Sequence, residues 1–288
     1  MAERVWTCKD ALAWTAEYLQ RKGDEHSRRS AEWLLSAATG LSRVELYALH
    51  DRPLTPEERT RYRELVARRA EGMPLQYVTG EMPFRHLVIS VQPGVFIPRP
   101  ETEVLADVVL EHIEGLAAPN VIDLCTGSGC VAVSLASEHP GARVWAVDSD
   151  ERAVEAARRN ALHAGVSERV QVVMGDLFDG LPETLAGGVD AIVSNPPYVP
   201  SEDIGALPAE VRGFEPVVAL DGGADGLDVF RRIALGGDRW LSPGGILAVE
   251  IDSRRAEDAA LTLERDYDGV AVRKDLTGRD RIVFGRKG

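Results

Sequence analysis

The sequence predicts an α/β fold: a mostly parallel sheet covered by helices on both faces, with a small helical bundle before it. Three observations carry this. From about residue 101, short apolar runs alternate with helical patterns, the order that builds a parallel sheet. Residues 1–73 instead hold a series of capped helices. The charge also divides there: residues 1–73 contain 13 Lys+Arg and 12 Asp+Glu, whereas residues 74–288 contain 20 and 34. Such an asymmetry marks a boundary between segments of different character. The expected organisation is a helical domain over 1–73, a β-hairpin linker over 74–100 and an α/β domain over 101–288.

In the first segment, Thr7 and Asp10 form an acidic variant of a capping box, and Gly23 is a stop signal. Ala31, Leu34, Leu35 and Ala38 repeat at i, i+3, i+4, i+7, one buried helical face ending at Gly40. Ser42 with Glu45 opens another helix. Thr55-Pro56-Glu57-Glu58 combines a cap, a proline at the first helical position and a box glutamate. That helix turns Tyr62, Leu65 and Val66 inward and Arg59, Arg63 and Arg69 outward, as a solvated face. In the linker, Phe84 to Val91 reads as one strand, Pro93-Gly94 as a turn and Val95-Phe96-Ile97 as the returning strand. Beyond it, strands are expected at 121–124, 143–147, 170–174, 191–194, 246–251 and 282–284. Helices are expected at 130–137, 151–164 and 230–241.

The chain has 288 residues, 44% of them hydrophobic and 27% charged, with a net charge of −13. This suits a globular protein with a sizeable core. The acidic balance argues against a protein held on nucleic acid by nonspecific phosphate contacts. Cys8, Cys125 and Cys130 form no CxxC pair and no disulfide framework, which fits a reducing, cytoplasmic setting. No apolar run approaches the ~18–20 residues that span a bilayer, and no leader peptide is evident. No metal-ligand spacing stands out.

Ligands on this architecture bind beyond the carboxyl ends of the strands. The first strand runs into Cys125-Thr126-Gly127-Ser128-Gly129, a G-x-G turn that lets backbone approach a ligand. It lacks the third glycine of a dinucleotide fingerprint, and no phosphate-binding GxxxxGK[ST] is present. About 20 residues on, the next strand ends at Asp148, where a carboxylate can accept from both hydroxyls of a ribose. An aspartate there can equally cap the following helix, though Asp150 or Ser149 can do that. Asp176, after the third strand, could meet an adenine amino group or serve the turn.

The fourth strand ends in Asn195-Pro196-Pro197-Tyr198. Each proline forces the residue before it into extended geometry, so the Asn195 amide is held on a stiff backbone. Pro196 lacks an N–H but keeps its carbonyl as an acceptor. Asn195 Oδ1 and that carbonyl can together receive both hydrogens of a planar NH2 group, while Tyr198 offers a ring to pack on it.

With Phe96-Ile97-Pro98-Arg99-Pro100-Glu101-Thr102-Glu103, the 123–129 loop and Asn195 to Tyr198, the chain resembles the HemK/PrmC family over nearly its whole length. Pro74 to Gly80, Glu215-Pro216, Ala219-Leu220 and Gly223 to Leu227 extend the likeness. N-P-P-Y alone is shared with adenine-N6 methylating enzymes; I-P-R-P-E-T-E is far more specific. The resemblance implies a Rossmann-like class I S-adenosylmethionine-dependent methyltransferase sheet and N5-methylation of the glutamine in the Gly-Gly-Gln loop of peptide-chain release factors. It implies that Cys125, Thr126, Gly127, Ser128 and Gly129 wrap the methionine part of S-adenosyl-L-methionine. Asp148 would hold the ribose, and Asp176 and Leu177 would flank the adenine. Asn195, Pro196, Pro197 and Tyr198 would hold the glutamine, with Asn195, Pro196 and Tyr198 acting at the transferring centre and Asn195 also bordering the cofactor. Release factors are thus the expected partner, with no stable nucleic acid and no membrane, and S-adenosyl-L-homocysteine is the product. The family often has glycine at Cys125 and tryptophan at Leu177, and residues 251–255 depart from its usual pattern. The rival expectations are an adenine-N6 nucleic-acid methyltransferase and a noncatalytic adenosyl-binding protein.

Overall fold

A computed structural model describes residues 5–288. The chain divides into two compact units, one of residues 1–81 with 209–214 and one of residues 82–208 with 215–288.

The first unit is helical: α1 (Cys8–Arg21), α2 (Ser27–Thr39), α3 (Arg43–Ala48), α4 (Pro56–Ala70) and α5 (Leu75–Thr79). Thr7 with Asp10, Ser42 with Glu45 and Thr55 with Glu58 each complete a reciprocal capping box. Leu34, Leu35, Leu19, Leu46 and Val66 meet in one apolar core. Arg69 departs from the expected solvated face. Its side chain is only 12% exposed and pairs with Asp24 at 2.8 Å and with Glu210 at 2.9 Å. Helical spacing alone does not show partners that arrive 45 and 141 residues away in sequence.

A hairpin of β1 (Glu81–Phe84) and β2 (Leu87–Ser90) follows, all but its first residue in the second unit. The expected hairpin is therefore present but shifted. Its turn is Arg85-His86, and Val95 to Ile97 is not a strand. Arg85 sits at φ +52°. There its guanidinium reaches Asp107 and Glu138, each at 2.8 Å or less. A half-buried arginine paired with two carboxylates fixes this turn where no glycine announces it.

The rest is the α/β body. In chain order it comprises α6 (Thr102–Ile113), β3 (Asn120–Leu124), α7 (Cys130–Glu138), β4 (Arg143–Asp148), α8 (Glu151–His163), β5 (Val170–Met174) and β6 (Val189–Ser194). The short α9 (Ala209–Phe214) belongs to the first unit. Then come α10 (Asp228–Trp240), β7 (Leu241–Glu250), α11 (Ala256–Leu263), β8 (Asp268–Lys274) and β9 (Asp280–Arg286). The sheet order is β5-β4-β3-β6-β7-β9-β8. Its first five strands are parallel, and β9 returns antiparallel between β7 and β8. β8 carries no clear apolar alternation and was not expected. It is an edge strand, paired only on one side, so its sequence is not forced to be apolar.

Register places the strand ends in line. Val173, Val147, Leu124, Ser194 and Val249 are partners across five strands. The next residue on each strand or its loop is therefore Met174, Asp148, Cys125, Asn195 and Glu250. Ile122, Leu124, Ile192, Leu247 and Val249 anchor this row in an apolar core with Phe230 and Ile233 of α10. Among the described residues, no helix is long and apolar enough to cross a membrane.

Candidate active site

The row has two halves with different construction. On the β3–β4 half, backbone amides converge on two aspartates. Asp123 is 2% exposed. Its Oδ2 accepts from the Thr126 hydroxyl at 2.6 Å and the Ala132 amide at 3.2 Å, joining the start of the loop to the first turn of α7. Burial pushes its pKa up to about 7, with the nearby Asp148 charge adding to the shift. Asp148 Oδ2 accepts from the Gly127 amide at 2.8 Å, and Oδ1 from the Asp150 amide at 3.0 Å. Burial raises the Asp148 pKa despite these donors. Asp150, not Asp148, caps α8 by accepting from the Arg152 amide.

The loop is locked to its surroundings. Gly129 donates to the Thr126 carbonyl at 2.8 Å. A β-carbon on Gly129 would lie 2.9 Å from Ala157 Cβ, so α8 packs directly on this position. Asn160 on α8 donates to the Ser128 carbonyl at 2.8 Å and exchanges two bonds with the backbone of Ser90. Cys125 holds φ +56°, which explains why the resembling family often has glycine there. Leu177 also holds a left-handed φ, +54°. Its side chain is buried in the core beside Val147, Leu181 and Phe230. Asp176 is exposed and pairs with Arg232 at 2.8 Å. Hydrogen bonds thus pair Gly127 with Asp148 and Gly129 with Thr126 within one loop; Asp176 and Leu177 lie at the neighbouring strand end without bonds to these residues.

On the β6–β7 half, side chains do the joining. Asn195 Nδ2 donates to Thr102 Oγ1 at 3.1 Å. Thr102 in turn donates to Glu250 Oε2 at 2.7 Å, and the Tyr198 hydroxyl donates to Glu250 Oε1 at 3.2 Å. Thr102 and Glu250 are both 1% exposed. Burial pushes the Glu250 pKa up to about 7, opposed by the Thr102 bond and by the Arg281 charge. Tyr198 is raised well above the usual phenol value, by burial first and then by the Glu250 charge. Arg281 lies over its ring at 5.8 Å. Among the described residues no donor is bonded to Asn195 Oδ1 or to the Pro196 carbonyl.

The segments that follow N-P-P-Y brace it. Val199 donates to the Leu220 carbonyl and accepts from the Gly222 amide, each at 2.9 Å. A β-carbon on Gly226 would come within 2.4 Å of the Tyr198 carbonyl. The glycine-rich block 222–227 therefore exists to let a second backbone run against the loop. Glu215, buried, accepts from Arg99 and from the Ile97 amide, which pins the I-P-R-P segment. Sequence reasoning assigned no role to Thr102, Glu250, Asp123 or Asn160. The specificity of I-P-R-P-E-T-E was the one available signal for Thr102; Glu250 was visible only as an acid ending an apolar strand.

The residues present fit an adenosyl sulfonium ligand, whose hydroxyls and amino group donate. Acidic acceptors stand at two strand ends. The space that a Gly127 β-carbon would enter is free within 4 Å, so that stretch of backbone is open to close approach.

Comparison with known proteins agrees with this construction. Residues 10–80 match the PrmC N-terminal domain and residues 86–207 the methyltransferase small domain. The release factor glutamine methyltransferase of Geobacter sulfurreducens is 45% identical over 99% of this chain and 98% of its own length. That of Gloeobacter violaceus is 42% identical over 88% of each. Among solved structures, the hMettl16 catalytic domain with a 3′UTR hairpin superposes with a TM-score of 0.56 at 17% identity, covering 83% of this chain and 85% of that one. A T. thermophilus 16S rRNA methyltransferase with AdoMet and guanosine gives 0.53 at 21% identity, covering 72% and 50%. At such identities the structures establish a shared methyltransferase fold, while the full-length relatives establish kinship: the chain belongs to the release factor glutamine methyltransferase family.

Proposed function

We propose that this enzyme methylates the side-chain nitrogen of the glutamine in the Gly-Gly-Gln loop of peptide-chain release factors, using S-adenosyl-L-methionine. The observation that carries the reading is the paired acceptor set of Asn195 Oδ1 and the Pro196 carbonyl beside an amide whose other end is held by Thr102. Two acceptors on a stiff backbone match the two hydrogens of one primary carboxamide.

Thr126, Gly127, Ser128 and Gly129, with Cys125 at the row itself, would hold the methionine end of the cofactor. Asp148 would accept from its ribose, with Asp176 and Leu177 on the adenine side. The bound cofactor supplies an electrophilic methyl group on a sulfonium. A carboxamide nitrogen is a weak nucleophile, because its lone pair is delocalised into the carbonyl. The contribution of the protein is therefore mainly positioning, worth up to ~7–11 kcal/mol in favourable intramolecular cases. Asn195 Oδ1 and the Pro196 carbonyl also favour positive charge growing on nitrogen, an electrostatic effect strongest in a water-poor site. Tyr198, fixed at its hydroxyl, packs beside the amide plane.

Residues 1–73 would grip the body of the release factor, 74–100 would join the parts and 101–288 would carry methyl transfer in a cytoplasmic enzyme. A chain lacking residues 1–73 should keep cofactor binding and lose methylation of intact release factor. The broader test is incubation of the enzyme and labelled S-adenosyl-L-methionine with release factor, DNA and RNA in parallel. Label on release factor alone supports the reading; label on adenine in nucleic acid sinks it.

A further inference from the structure

We propose that Glu250, acting through Thr102, sets which end of the Asn195 carboxamide faces the substrate, and thereby makes a primary amide acceptable and a carboxylate unacceptable. The inference rests on the glutamine reading above and names the groups that enforce it.

A hydroxyl has one hydrogen. That of Thr102 goes to Glu250 Oε2 at 2.7 Å. Toward Asn195 the hydroxyl then presents only lone pairs, so the group 3.1 Å away must be the donating Nδ2. The amide is planar, and Oδ1 is left for the substrate. Reversing Asn195 would set Oδ1 against those lone pairs, so that two acceptors, one of them the buried Thr102 hydroxyl, faced each other, a costly arrangement. Neither partner can turn to water instead, since Thr102 and Glu250 are each 1% exposed. Glu250 cannot swing away either, because its other oxygen accepts from Tyr198 at 3.2 Å. One buried carboxylate therefore holds both ends of N-P-P-Y, Tyr198 directly and Asn195 through one hydroxyl. An outward Oδ1 welcomes the NH2 of glutamine and repels a glutamate carboxylate. Glu250 and Thr102 are positioning residues that determine specificity.

The test uses the full-length enzyme with wild-type release factor as substrate and a release factor carrying glutamate at the methylated position as competitor. Glu250→Gln can donate to Thr102, which frees the hydroxyl hydrogen for Asn195 Oδ1 and turns the amide round. The expected result is lower kcat and a preference for glutamine over glutamate narrowed by about tenfold, the scale of one hydrogen bond at a polar site. Thr102→Val should lower kcat similarly, and Thr102→Ser should restore most of it, while cofactor affinity by calorimetry stays put in all three. Folded Glu250→Gln with an unchanged preference, or Thr102→Val with wild-type kcat, overturns the proposal. Failure of the wild-type enzyme to methylate release factor would refute the substrate reading instead. The orientation is then read by NMR in the wild-type protein. Contacts from the Asn195 NH2 protons to the Thr102 methyl support it, and their absence overturns it.

Discussion

The two halves of the strand-end row hold their loops by opposite means. At β3 and β4, three of the four bonds to the carboxylates come from backbone amides, Ala132 to Asp123 and Gly127 and Asp150 to Asp148, and one from a hydroxyl, Thr126 to Asp123; all four donors lie within 21 residues of their acceptor. At β6 and β7, a carboxylate accepts from side-chain hydroxyls 148 and 52 residues away. A backbone-built cradle tolerates varied side chains as long as glycine and the aspartates stay. A side-chain relay has no such tolerance, since each hydroxyl in it, Thr102 and Tyr198, has a single hydrogen and Glu250 can only accept. The first half should therefore fail gradually on mutation and the second abruptly.

The largest effect is expected at Asn195. Asn195→Ala removes one of two acceptors at the nitrogen where charge develops, so turnover should fall on the order of 10²–10³-fold, as for loss of one oxyanion-hole donor. Cofactor affinity should barely move, which single-turnover kinetics with parallel calorimetry would show. A variant weakened equally in both would merge the two halves into one site.

Asp148→Ala tests the other half. Removing a charged acceptor should weaken cofactor binding by about 1.5–3 kcal/mol, with the fold intact by circular dichroism. Unchanged affinity would take Asp148 out of the cofactor site.

Proton binding separates the halves next. Burial lifts the Glu250 pKa from 4.5 to about 7. The ionisable groups that bear on it are Tyr198, Arg281 and Glu101. Only the ionised carboxylate accepts from both hydroxyls, so turnover should rise about tenfold between pH 6 and pH 8. Stability should move the opposite way. A raised carboxylate pKa in the folded state favours folding below the unfolded pKa, and that contribution is lost as pH climbs through about 7. Asp123, also near 7, shares the stability trend. Glu250→Gln should flatten the turnover profile and leave part of the melting trend; a profile of the same shape in that variant would assign the titration elsewhere.

The smallest effect is expected at Cys125. Its φ of +56° strains any residue with a β-carbon. Cys125→Gly should change stability by less than about 1 kcal/mol, because relief of strain offsets lost packing and added chain entropy. Cys125→Val, branched at that carbon, should melt at a clearly lower temperature.

The same contrast explains what could be read from the sequence. The parallel body, the capping boxes at Thr7, Ser42 and Thr55, and the loop with Asp148 all rest on short spacings that periodicity and turn chemistry reveal. The hairpin was displaced because its turn depends on Arg85 reaching acids 22 and 53 residues away. Arg69 was misplaced on the surface for the same reason. Asn195 and Tyr198 stood out, but their support did not: a buried glutamate ending a strand looks like any other acid until Thr102 is brought to it.

The most direct measurement of the central claim is tandem mass spectrometry of release factor after reaction with isotopically labelled S-adenosyl-L-methionine. The account predicts one labelled methyl group on the glutamine side chain of the Gly-Gly-Gln loop, and none anywhere when that glutamine is replaced by glutamate. A labelled methyl group on another residue, or one that survives the replacement, would contradict it.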